Sequence, residues 1–169
     1  MKTLYLIRHA KSSWDDTYLK DQDRPLNERG KKDAPRMGKR LKEKKVFPDL
    51  MLSSPAVRAL DTCKAIAKSL GYPEEKIKTD KRLYHASEDQ LLKIVQEIKD
   101  LHDDEEVVMI FGHNPGLTVF ANSLVNEDID NIPTCGIIAS KMNINFWKDT
   151  KFGSGEMKFF DFPKKNKTY

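Results

Sequence analysis

The sequence is poor in cysteine: 169 residues hold only Cys63 and Cys135, far apart. There is no CxxC pair and no Cys/His spacing of a metal ligand set, so neither a disulfide scaffold nor a bound metal is expected. Two reduced core thiols in a cytoplasmic protein are the plain expectation. Long apolar runs are absent as well. The one that follows Met1-Lys2 is cut off by Arg8 and His9, too soon for a secretion signal or a membrane span. No internal repeat and no low-complexity linker appears. Charge of one sign is also missing, because 30 Lys and Arg against 26 Asp and Glu leave a net +4. That excess suits an anionic substrate and does not mark a nucleic-acid binder. The one basic cluster, Lys164-Lys165-Asn166-Lys167, reads as a solvated tail. With 38% hydrophobic and 33% charged residues, a single domain over 1–163 with a basic tail at 164–169 is expected. No membrane partner and a monomeric state are expected with it.

What is present is alternation. Leu4 to Ile7 reads as a buried strand. Asn27 to about Lys45 reads as a helix capped by Asn27, with Met37, Leu41 and Val46 recurring at roughly helical spacing. Pro35 inside it predicts a kink or a short break. Leu50 to Leu52 is a short strand. Ser54-Pro55 then looks like a cap and first-turn proline for a helix with Val57, Leu60, Ala67 and Leu70 on its apolar face, ended by Gly71. Ile77 to Thr79 reads as an edge strand. Ser87-Glu88-Asp89-Gln90 has the form of a capping box, followed by Leu91, Ile94, Val95 and Ile98. Val107 to Phe111 is a continuous apolar run, as expected of a central strand. Asn114-Pro115 repeats the pattern of cap and proline. Gly136 to Met142 and Met157 to Phe162 are late strands, paired across the loop with Gly153 and Gly155. This pattern predicts a three-layer α/β/α sandwich around a mostly parallel sheet.

In such sheets ligands bind at the carboxyl ends of the strands. Three strands end suggestively: one in Arg8-His9, one in Ser53-Ser54-Pro55 with Arg58 close behind, and one in Gly112-His113-Asn114-Pro115. Two arginines and two histidines converging on one edge describe a pocket for a tetrahedral dianion. The planar fork of arginine matches phosphate oxygens, which assigns Arg8 and Arg58 to charge neutralisation. A neutral imidazole can attack phosphorus and carry the phosphoryl group, and two nearby arginines would keep it neutral. His9, held beside Arg8 on a rigid strand, is the expected nucleophile, with His113 contacting the transferring group. Asn114 and the helix behind it would add backbone donors, and Ser12 or Ser13 a hydroxyl.

The chain resembles the histidine phosphatase superfamily, of phosphoglycerate mutase-like fold. Leu6-Ile7-Arg8-His9-Ala10, Ser53-Ser54-Pro55-Ala56-Val57-Arg58-Ala59-Leu60-Asp61-Thr62 and Gly112-His113-Asn114-Pro115 carry the likeness. Arg8 to Trp14 and Asp23 to Gly30 are most similar to the short SixA-type phosphohistidine phosphatases. The resemblance implies a phospho-His9 intermediate, a pocket of Arg8, Arg58 and His113, and no metal or organic cofactor. Many members carry a glutamate acid after an Arg-Leu-x stretch. Here that stretch reads Arg82-Leu83-Tyr84-His85-Ala86, with no carboxylate. An alkoxide leaving group needs a proton, and a positioned acid contributes roughly 10²–10⁴-fold. A phosphohistidine leaves more readily, so the missing acid points to that substrate, on a partner protein. His85, Glu88 or Asp89 is the candidate surrogate acid.

Two rival readings share the pocket: a phosphatase for small phosphate esters, and a non-catalytic module that binds a phosphorylated partner. Among other residues, Arg82 reads as a surface arginine and His102 as part of a solvated helix end. Tyr84 and the Phe159, Phe160 and Phe162 cluster read as core or strand residues. Trp14, with Asp15 and Asp16, suits a pocket rim or loop packing equally.

Overall fold

Side-chain alternation along the first strand, β1 (Lys2–Arg8), divides the core in two. The computed structural model describes residues 1–101 and 105–165; His102 and residues 166–169 of the basic tail lie outside them. The other elements are α1 (Glu28–Glu43), β2 (Leu50–Ser53), α2 (Val57–Leu70), β3 (Lys78–Thr79), α3 (Glu88–Gln96), β4 (Glu106–Gly112), α4 (Gly116–Val125), β5 (Ile137–Met142) and β6 (Gly155–Asp161). Leu4 and Leu6 face α3 and α4, packing with Ile94, Leu117 and Phe120. Tyr5 and Ile7 face α1 and α2, packing with Met37, Leu41 and Ile66. Helices thus cover both faces of one sheet, the expected three layers. The sheet order is β3-β2-β4-β1-β5-β6. β3, β2, β4 and β1 run parallel, whereas β5 is antiparallel to both β1 and β6.

Local signals explain most boundaries. Asn27 Oδ1 accepts from the Gly30 amide at 2.8 Å and starts α1. The Ser87 box closes reciprocally: Gln90 N donates to Ser87 Oγ at 3.3 Å, and Ser87 N to Gln90 Oε1 at 3.0 Å. Gly71 ends α2 with φ 73°, a left-handed value that glycine adopts at little cost.

Three expectations need correction. Helix α1 runs unbroken through Pro35. The proline removes only one amide from the ladder, while Ala34, Met37 and Leu41 stay buried along the same helix. Helix α2 begins at Val57 with Ala56 as its flanking residue, not at Ser54-Pro55. Its buried stripe is Ala59, Cys63, Ile66, Ala67 and Leu70, and Val57 and Leu60 are only half-buried. Helix α4 begins at Gly116, flanked by Pro115, so Asn114 stands one residue further out.

The end of the sheet where β1 and β4 begin is closed by a buried ion pair. Lys2 Nζ lies 2.7 Å from Glu106 Oε1 and 2.9 Å from Asp100 Oδ1. Glu106 also accepts from Trp147 Nε1 and from the Leu101 amide, each at 2.7 Å. Among the described residues no helix is long and apolar enough to cross a membrane.

Candidate active site

The other end of the sheet carries the polar residues. Arg8 closes β1 opposite Gly112, the last residue of β4. The His9 amide donates to Gly112 O at 3.2 Å, so the two chains leave the sheet side by side. This sets the His9 and His113 rings 5.2 Å apart, centre to centre. β2 ends beside β4, where the Ser54 amide donates to Phe111 O at 3.0 Å. The chain then turns through Pro55-Ala56 into α2, whose first turn holds Arg58. Thr62, one turn later, ties this helix to β1: its Oγ1 donates to Arg58 O at 2.7 Å and accepts from the Ala10 amide at 2.9 Å.

A loop between β1 and α1 covers the strand ends. Its base is clamped by Ser13 N to Pro25 O at 2.7 Å and Asn27 N to Lys11 O at 3.0 Å. The half-open cavity beneath it is about 220 Å³. Arg8, Lys11, Arg24 and Arg58 line it with positive charge, and among the described residues no carboxylate does. His9, His85 and His113 line it as well, together with Ser12 and Asn114. Such a lining favours a small anion.

The histidines are set by their partners. His9 Nδ1 lies 2.8 Å from Ala10 O. A carbonyl only accepts, so the proton is assigned to Nδ1, and Nε2 keeps its lone pair. Burial pushes His9 down to about 4, helped by the charges of Arg58, Arg8 and Arg24 and opposed by the Ala10 bond. His113 Nδ1 lies 3.4 Å from Arg58 Nη2, a donor only, so that nitrogen accepts. Its Nε2–H therefore donates to Ser54 Oγ at 2.8 Å. Burial pushes His113 down to about 3, with His9, Arg58 and His85 adding to the effect and Asp21 opposing it.

The arginines are anchored on one edge. Arg58, only 2% exposed, donates Nη1 to Asp21 O at 2.7 Å and Nη2 to Asp21 Oδ2 at 3.0 Å. Arg8 donates Nη1 to Ile132 O at 3.0 Å. The Nε atoms of both arginines are buried and have no hydrogen-bond partner among the described residues. Buried donors of this kind are rarely left unpaired in a protein interior.

Of the residues singled out in the sequence, Arg8, His9, Arg58 and His113 come together. Ser12 joins them, its Oγ accepting from Arg24 Nη1 at 2.9 Å. Asn114 lines the cavity, yet its side chain is taken up by Asn131 Oδ1, Ile132 O and Thr118 Oγ1 at 2.7–2.9 Å. Behind it the amides of Leu117, Thr118 and Val119 bond to His113 O, Asn114 Oδ1 and Pro115 O. Those three donors of the helix end are therefore used within its own first turn. Of the named acid candidates, His85 reaches the cavity. Glu88 turns instead to Ser123 Oγ at 2.7 Å, because the first turn of α3 faces α4. Arg82 is a surface arginine paired with Asp80 and Glu97. Trp14 lines the cavity and stacks 3.5 Å from the Arg24 guanidinium carbon, which combines its two expected roles.

Residues that had not been singled out for the site include Lys11, Arg24, Asp21, Ser54 and Tyr84. Arg24 was within reach of the sequence, since it lies in the Asp23 to Gly30 stretch. Ser54 passed for a helix cap, although it bonds to His113. Tyr84 is not a core residue; its hydroxyl donates to Asp21 Oδ2. Asp21 carried no local signal at all.

The model of the histidine phosphatase superfamily (branch 1) matches residues 4–87. An uncharacterized chloroplastic protein of Arabidopsis thaliana is 31% identical over 91% of this chain and 72% of its own. Phosphoglycerate mutase 1 of Saccharomyces cerevisiae is 41% identical over a shorter stretch, 37% of this chain and 26% of its own. Among solved structures, a candidate phosphohistidine phosphatase SixA from Agrobacterium tumefaciens superposes with a TM-score of 0.79 at 26% identity. That match covers 95% of this chain and 97% of the other. The protein histidine phosphatase SixA complexed with tungstate shares the fold, with a TM-score of 0.74 at 20% identity over 95% and 97% of the two chains. The family model, the relatives and the shared fold agree, and the chain belongs to the histidine phosphatase superfamily.

Proposed function

We propose that this protein is a phosphatase that removes the phosphoryl group of phosphohistidine through a phospho-His9 intermediate. The observation that carries this reading is the pair of buried, unpartnered Nε atoms on Arg8 and Arg58 beside a histidine with a free Nε2 lone pair. A phosphoryl group in the cavity would supply the acceptors those donors lack. Phosphoryl transfer depends chiefly on positioning and on neutralising charge on the equatorial oxygens, and four cations line the wall.

The reaction runs in two displacements. His9 Nε2 attacks phosphorus as the bond to the leaving group breaks. Water then attacks phospho-His9, the P–N bond breaks, and inorganic phosphate leaves. To contact a phosphoryl oxygen, His113 gives up its long contact to Arg58 and carries its proton on Nδ1, with the Ser54 hydroxyl donating to Nε2 in place of accepting from it. No residue in this scheme needs a metal ion or an organic cofactor. The substrate reading rests on a cavity wall to which none of the described residues brings a carboxylate, which leaves an alkoxide without a carboxylic acid to protonate it. The similarity to the Agrobacterium structure supports it. A phosphohistidine on a partner protein is the substrate of choice, and a reducing cytoplasm suits the two buried free thiols.

Turnover of a phosphorylated histidine protein against a panel of sugar phosphates tests the substrate. Efficient turnover of the esters alone would replace it with a small phosphomonoester. His9→Ala should lower kcat by on the order of 10⁴–10⁶-fold, as loss of a covalent nucleophile does. Equal activity in both proteins would remove His9 from the mechanism, and no activity in either would favour a binding module.

A further inference from the structure

Asp21 is the hub of the site although it does not line the cavity. Its Oδ1 accepts from Arg24 Nε and Nη2 at 3.1 and 3.0 Å. Its Oδ2 accepts from Arg58 Nη2 and from Tyr84 OH, and lies 3.4 Å from His85 Nε2. Burial would push this carboxyl up, but hydrogen bonds from Tyr84, Arg58 and Arg24 hold it well below the usual carboxylate range. It is a fixed negative charge behind a cationic wall. His85, in turn, has φ 54°, a left-handed conformation that a residue with a side chain adopts at a cost. That conformation goes with a ring set between Tyr84, 4.1 Å away, and His113, 5.2 Å away, on the cavity wall.

We infer that Asp21 is the positioning residue of an Asp21–His85 pair, in which His85 is the acid that protonates the departing imidazole. The inference rests on the phosphohistidine reading above and deepens it. A carboxylate only accepts, so His85 turns its Nε2–H toward Asp21 and leaves Nδ1 to exchange a proton with the substrate. In the first displacement the P–N bond to the substrate breaks and its electron pair goes to the imidazole nitrogen, which takes the His85 proton. In the second, the attacking water gives its proton to the neutral His85 and the P–Nε2 pair returns to His9. The cycle leaves both histidines as they began.

Asp21→Asn tests this role. One side-chain oxygen still accepts, an amide NH2 replaces the other, and Arg58 keeps the Asp21 main-chain carbonyl at 2.7 Å. The charge facing His85 is thus lost while a main-chain bond still seats the arginine, and any shift of the arginines themselves registers on both substrates below. The measurement is kcat/KM on two substrates: phosphohistidine, and an aryl phosphate whose p-nitrophenolate departs without a proton. Asp21→Asn should lose at least about tenfold more on phosphohistidine than on the aryl ester, a fraction of what a positioned acid supplies. His85→Gln, at a half-exposed side chain that folding tolerates, should show the same selectivity. The double variant should be no worse than the poorer single one. Equal losses on both substrates, no loss on either, or losses that multiply in the double variant would overturn the inference. Wild-type protein that cleaves the aryl ester but not phosphohistidine would instead overturn the substrate reading itself.

Discussion

One carbonyl decides what His9 can do. Because Ala10 O holds the Nδ1 proton, the attacking nitrogen needs no base to expose its lone pair. Burial with three arginines nearby then keeps that lone pair free well below neutral pH, since the imidazole is pushed down to about 4. The sign follows directly. Protonation at Nε2 abolishes attack, and the free enzyme protonates only as pH falls toward 4. The acid limb of kcat/KM assigned to His9 should therefore lie near pH 4, not near the ordinary histidine value of about 6.5. A limb near 6.5 that vanished in a His9 variant would contradict this. Stability moves the same way. An unfolded His9 takes up a proton below about 6.5 that the folded one refuses until about 4, so stability present above 6.5 is lost on acidification.

At the scale of elements, the site depends on close backbone approaches between segments that no local pattern links. Gly116, the first residue of α4, is the clearest case: a Cβ there would lie 1.8 Å from Ala86 O. Helix α4 follows His113, and Ala86 follows His85, so this contact seats one histidine-bearing segment on the other. Gly116→Ala should force them apart and cost about 1–3 kcal/mol, the usual range for overpacking. A lowered thermal midpoint checks this, and an unchanged one would mean the segments slide freely. The same scale explains the misread helix starts. Ser54-Pro55 and Asn114-Pro115 look locally like caps, and each side chain does accept a nearby amide, Ser54 Oγ from Ala56 and Asn114 Oδ1 from Thr118. The same side chains also reach distant segments, Ser54 to His113 and Asn114 to Ile132 and Asn131. Each helix therefore starts one or two residues later.

For the whole molecule, the sheet separates stability from chemistry. The reactive residues sit where β1, β2 and β4 end, and the Lys2–Glu106 pair sits where β1 and β4 begin. Lys2 and Glu106 are 2% and 1% exposed, so neither can recover solvent if its partner is lost. Glu106→Ala leaves Lys2 with Asp100 alone and Trp147 Nε1 without its acceptor. The expected loss is about 3 kcal/mol, at the lower end of the range for breaking a buried pair. Activity per folded molecule should stay at the wild-type level, because the change lies at the opposite end of the sheet. Chemical denaturation beside active-site titration separates the two effects, and a fall in turnover per site would show that the ends communicate.

Local chemistry alone determined a good part of this protein. Apolar runs and caps marked the strands and helices within a few residues, since periodicity and side-chain capping act over one or two turns. Arg8, His9, Arg58 and His113 were legible too, because each follows a recognisable strand end in a specific motif. Only the tertiary structure decided how those ends meet, which histidine nitrogens are free, and that Asp21 joins Arg24, Arg58, Tyr84 and His85. It also decided that His85 and not Glu88 faces the cavity. The reason is physical: the tautomer of a histidine and the partners of a carboxylate are set through space by distant segments, and a linear sequence does not order those distances.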